Sequence, residues 1–259
     1  MSFLLSTKKF NLVMRPLKLL SLLFVTTGVM LIPTVVRAAT FNTLSGYTDT
    51  NFNNDKNNGL FQEDWVTEGR AASNNWDQAI WNWTNNTTFP SSTAAQASTP
   101  WPKNVSVPIT ITYNNGNASF SFNNQTISAN NVTEAARFPN GLNTIYIRTR
   151  SNNDGSTIQL NNISITDSLG TFTTNLNALS NNSLNVDYLK IEGINGNFTL
   201  TANATFGWTT SSSPTDSRLA FQVKMGANPQ AVPEPLTILG AATAIGFGTF
   251  FKKALRKNQ

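Results

Sequence analysis

A chain of 259 residues without a single cysteine or histidine has no Ser-His or Cys-His nucleophile pair, no imidazole or thiolate metal site and no disulfide framework. Its net charge of +5 would suit nucleic acid, but the surplus sits at the two ends. Five cations precede residue 39, four follow residue 251, and the 39–231 stretch between them carries a net −3, which excludes a phosphate-backbone partner for the part that folds.

Residues 1–38 have the three parts of a secretory signal. Lys8, Lys9, Arg15 and Lys18 form a basic start, residues 19–32 an apolar run ended by Pro33, and Val36-Arg37-Ala38 a small-residue cleavage site. Cleavage by signal peptidase is expected after Ala38, with Ala39 as the neighbouring choice; an uncleaved membrane anchor is the alternative.

The following stretch, Asp49-Thr50-Asn51-Phe52-Asn53-Asn54-Asp55-Lys56-Asn57-Asn58-Gly59, offers oxygen atoms at alternate positions. An EF-hand loop needs glycine at its sixth place and glutamate at its twelfth, where this chain has Asn54 and Leu60. A solvated Asn-rich turn is therefore expected, and calcium is the one cofactor the composition leaves open; no other cofactor or metal is expected.

Residues 61–83 concentrate Trp65, Trp76, Trp81 and Trp83 among Glu63, Asp64, Glu68 and Asp77. Flat aromatic faces stack on sugar rings and carboxylates bind hydroxyls, so these tryptophans form a possible glycan-binding surface. Packing in a core is the favoured reading. The same acids offer, in principle, the carboxylate pair of a glycosidase, although sequence spacing does not give their separation.

From residue 105 the alternation of a half-buried strand takes over. Val105, Val107, Ile109, Ile111 and Tyr113 share one face, and Pro108 predicts an edge strand or a bulge. Asn114-Asn115-Gly116-Asn117 predicts a hairpin into residues 118–122. Further strands are expected at 143–150, 157–166, 184–191, 197–208 and 218–225, with a bulge or corner at Asn161-Asn162 where the inward phase changes. The fold class is all-β, a single antiparallel, jelly-roll-like sandwich over residues 39–228, flanked by an N-terminal signal helix and a C-terminal transmembrane helix.

Residues 229–259 hold a linker, Val232-Pro233-Glu234-Pro235, an uncharged run over 236–251 and the cations Lys252, Lys253, Arg256 and Lys257. The run makes about 24 Å of helix, close to a bilayer's hydrocarbon thickness once the flanking lysines snorkel. Both basic ends are expected on the cytoplasmic side, with everything between them exported.

The order of these three parts resembles the PEP-CTERM sorting signal of exported proteins in Gram-negative bacteria. That resemblance implies recognition and removal of the tail by an exosortase-type membrane protease or transpeptidase, a transient association with the membrane, and a destination at the cell surface or in an exopolysaccharide matrix. The segments 143–150, 186–193 and 218–224 look like the "choice-of-anchor" domains of such proteins, the W type among them, which implies a β-rich exported domain and no activity. The expected function is thus a non-enzymatic surface or matrix protein associated with exopolysaccharide; the alternative is a carbohydrate-binding module or glycoside-active enzyme using residues 61–83.

Overall fold

The computed structural model describes residues 38–71, 76–82, 92–133, 137–138, 141–152, 155–181, 185–209, 214 and 216–228. In chain order they form β1 (Thr40–Thr43), the helix α1 (Asp49–Asn57), and a meander of β2 (Gln62–Arg70), β3 (Gln78–Asn82) and β4 (Ser92–Ala97). A second meander follows as β5 (Ser106–Asn114), β6 (Asn117–Phe122) and β7 (Gln125–Ala129). The rest of the chain forms β8 (Thr144–Ser151), β9 (Thr157–Asp167), β10 (Gly170–Thr173), β11 (Ala178–Ser180), β12 (Val186–Glu192), β13 (Phe198–Gly207) and β14 (Leu219–Ala227). The signal segment and the tail, including Pro233, Glu234 and the 236–251 run, lie outside the described residues. Among those described, no helix is long and apolar enough to cross a membrane.

Two sheets result, ordered β1-β12-β8-β14-β2-β3-β4 and β10-β9-β13-β5-β6-β7, with β11 beside β10 along β9. Every ladder is antiparallel. From β8 onward the chain crosses repeatedly between the sheets, with β8, β12 and β14 in one and β9–β11 and β13 in the other, whereas β2–β4 and β5–β7 each stay within one sheet. The architecture is sandwich-like, as the alternating strands require.

The core lies between the sheets and is rich in aromatic rings. Trp65 of β2 is fully buried and lies parallel to Tyr113 at 5.8 Å and to Phe198 at 6.3 Å, both from the opposite sheet. Trp101 stacks on Phe122 with 3.7 Å between ring centroids and meets Phe221 edge-on. At the β11 side the sheets are joined by polar contacts: Thr149 and Ser180 share a buried hydroxyl hydrogen bond of 2.8 Å.

Several local expectations hold. Asn115 and Gly116 turn the β5–β6 hairpin with φ of +48° and +84°, the left-handed pair that a two-residue loop requires. At the predicted corner, Asn162 adopts φ +50° and the β9–β13 register skips between Thr201 and Asn203, so Leu160 and Ile163 both turn inward. Two expectations change. Val105 is exposed and precedes β5. β5 is also an interior strand, between β13 and β6; Pro108 is tolerated because the β6 ladder reaches only Ile109, leaving that side of the proline without a neighbour to bond.

In β2, β8 and β14 nearly every residue is buried on both faces. Close approach is needed here, since a Cβ on Gly69 would lie 2.4 Å from the Phe221 ring. Gly69→Ala is therefore expected to cost about 1–3 kcal/mol through overpacking, measured as a lower urea midpoint with an unchanged denaturant slope.

Candidate functional site

The face of the β1–β4 sheet turned away from the core is covered near its centre and carries most of the domain's charge. Register defines its rows. One runs Lys190, Tyr146, Lys224, Val66 and Trp81; the next runs Tyr188, Arg148, Gln222, Glu68 and Ala79; the third has Val186, Arg150, Ala220 and Arg70. In β2 a register shift opposite Met225 and Gly226 brings Glu63 onto this same face, where its carboxylate meets Lys224.

Helix α1 lies over these rows. Its sequence carries one apolar side chain that becomes buried, Phe52, which packs against Phe61, Tyr146 and Tyr188 with centroids 5.2–5.7 Å away. Thr48 and Asn51 form a reciprocal capping box, Asp49 stands in the first turn and Lys56 in the last, where each suits the helix dipole. The expected solvated turn at 49–59 is thus corrected: tertiary contacts hold a short helix that propensity alone would not. Asp49 receives both Nε and Nη2 of Arg148, at 2.7 and 2.5 Å, and the Tyr188 hydroxyl at 2.7 Å. Asp55 accepts from the Tyr47 hydroxyl.

Beside α1 opens a polar cleft of about 430 Å³, within the size range of small-molecule sites. Asp49, Lys56, Glu63, Glu68, Arg148, Arg150 and Lys224 supply its charges, and Phe52, Tyr188, Ser217 and Gln222 are among its other walls. Glu63 is buried between two ammonium groups, Lys56 at 2.6 Å and Lys224 at 3.2 Å. Glu68 accepts from the Gln222 amide at 2.7 Å and from the Ser217 hydroxyl.

Electrostatics follow from burial opposed by pairing. Burial pushes the Lys224 ammonium below its ordinary value, Glu63 opposes that shift, and Arg148 adds to it. Burial alone would raise the Asp49 carboxyl, but Arg148 and Tyr188 outweigh it and hold Asp49 below 3.8. Arg150 is held below the usual guanidinium range, first by burial and next by Arg148. Its guanidinium makes no direct hydrogen bond or ion pair with another described residue, and Asp49 and Glu68 attract it from farther away.

The tryptophans expected to bear a glycan divide differently. Trp65 lies between the sheets, inaccessible to any ligand. Trp76 is mostly buried, with the Arg70 guanidinium 3.3 Å above its ring. Trp81 is half-buried and edge-on to Trp76 at 5.5 Å. Trp83 lies outside the described residues. Of the four acids, Glu63 and Glu68 converge on the cleft, while Asp64 is buried 3.9 Å from Arg137 and Asp77 is buried at the start of β3. Arg148, Arg150 and Lys224 were not singled out in the sequence. The signal for them was the recurrence of cations on the non-core face of strands in a domain with few cations. Among the described residues no group of three or more acids is placed to hold a metal ion.

No family model matches the chain, and no curated protein matches it.

Two outcomes test this network. Glu63→Gln leaves Lys224 buried beside a neutral amide and is expected to cost about 3 kcal/mol; Glu63→Leu combined with Lys224→Met is expected to cost less, read by chemical unfolding as a double-mutant cycle. Because the folded Asp49 is more acidic than the unfolded one, its contribution is complete above pH 3.8 and disappears as the pH falls through the lowered value. The stability gap between the parent and Asp49→Asn, measured by urea unfolding across pH, is therefore expected to be widest above pH 5 and to close in acid.

Proposed function

We propose that this is an exported, non-enzymatic surface or matrix protein: a β domain carried through the membrane by residues 1–38, sorted by an exosortase-type enzyme acting on residues 229–259, and associated outside the cell with exopolysaccharide. The observation that carries this reading is where the folded domain closes. Asn228, four residues before Val232, donates its backbone amide to Asn143 at 3.0 Å and its side-chain amide to Glu192 at 2.7 Å. The end of the described domain is thus tied down by its own residues ahead of the Pro-Glu-Pro motif. At the other end, β1 begins at Thr40, two residues beyond the expected cleavage point.

The non-enzymatic part is supported by the state of the carboxylates. Each oxygen of Glu63 accepts from an ammonium group and each oxygen of Glu68 from a neutral donor. Both carboxylates are thus already engaged as acceptors within the fold. A carbohydrate-binding role is the second reading, favoured by the convergence of Glu63 and Glu68 on one concave surface; it assigns contact to the cleft instead of the tryptophans.

Mass spectrometry of the protein from its native host is the test of sorting. The expected mature chain begins at Ala39 and ends within or just after Val232-Pro233-Glu234-Pro235. A chain still ending at Gln259 rejects exosortase processing.

A further inference from the structure

The cleft holds more positive charge than it neutralises. Lys56 and Lys224 share Glu63, and Arg148 is matched by Asp49. Glu68, the remaining carboxylate, is engaged by Gln222 and Ser217. Arg150 lines the same cavity as a partly desolvated guanidinium that makes no direct ion pair, with Asp49 and Glu68 acting on it only from beyond contact distance. A guanidinium held partly out of water is costly unless something pairs with it.

A guanidinium presents a planar fork of donors that matches a carboxylate with two parallel hydrogen bonds. Two strands away, on the far side of β14 and one row along, lies a different chemistry. Glu68 can only accept hydrogen bonds, and each of its oxygens has used one of its two acceptor positions. The remaining positions suit hydroxyl donors, and Phe52 and Tyr188 supply apolar wall at the cleft's α1 side. A ligand satisfying both halves carries a carboxylate and several hydroxyls on a compact frame.

We infer that the cleft beside α1 binds a uronic acid residue of a polysaccharide, with its carboxylate on Arg150 and its hydroxyls on Glu68, Gln222 and Ser217. This rests on the second reading above, a carbohydrate-binding role, and adds the class of sugar and the residue that selects it.

The test is calorimetric titration of the full chain in detergent with oligogalacturonate and with the carboxyl-reduced form of the same oligomer. Oligogalacturonate is expected to bind and the reduced oligomer to bind about tenfold or more weakly, the scale of one lost charge-assisted pair. Arg150→Gln is expected to weaken oligogalacturonate by about tenfold to a hundredfold without lowering the unfolding midpoint, because it breaks no side-chain hydrogen bond or ion pair in the free protein and removes an unpaired charge. Arg150→Lys is expected to restore part of the affinity.

Equal binding of the two oligomers overturns the uronate assignment and leaves the carbohydrate-binding reading standing. Binding of neither overturns both at this cleft. Unchanged affinity in a folded Arg150→Gln overturns Arg150 as the selecting residue, and with it the proposal.

Discussion

Lys224 and Glu63 meet at 3.2 Å under a helix, on the side of a sheet that in most sandwiches faces water. An ammonium and a carboxylate removed from solvent stay charged only if each is surrounded by compensating groups, and that requirement shapes the neighbouring chain. Lys56 comes from α1 to complete the neutralisation of Glu63. Arg148, on the strand beside Lys224, would repel it unless matched, and α1 supplies Asp49. The helix that covers this face thus brings Lys56 to Glu63 and Asp49 to Arg148, each to the place where the sheet has its opposite.

This accounts for a helix with so little intrinsic reason to form. Four of its nine residues are asparagine, which competes for its own backbone in the unfolded chain. Nucleation is unfavourable for a segment this short. Packing of Phe52 among Phe61, Tyr146 and Tyr188, with the two ion pairs at opposite ends, fixes it against the sheet. The cleft is the space left alongside α1, from Asp49 to Lys56, over the charges of β8 and β14.

How much of this was visible beforehand depends on which faces a strand buries. β5, β9 and β13 have one buried and one wetter face, so Ile109, Leu160 and Leu200 recur with a period of two and the strands could be read directly. β2 is buried on both faces and mixes Glu63, Trp65, Thr67 and Glu68, so no alternation marks it. α1 shows one apolar residue and hence no helical stripe. For the site, Glu63 and Glu68 could be named from their company with tryptophan. Arg148, Arg150 and Lys224 read as ordinary solvent-facing positions, because nothing in the local sequence says that a segment nearly 100 residues away folds over Arg148.

The attachment of Asn228 bears on mechanics. β14, which ends immediately before it, is hydrogen-bonded along its length to β8 on one side and β2 on the other. A pull entering through the C-terminal end of the domain runs along a central strand and loads two ladders in shear, so many bonds must fail together. β1, at the opposite terminus, is a four-residue edge strand paired only with β12. The same pull applied there would strip its bonds one at a time, so this fold is far stiffer when tethered by its C-terminal side.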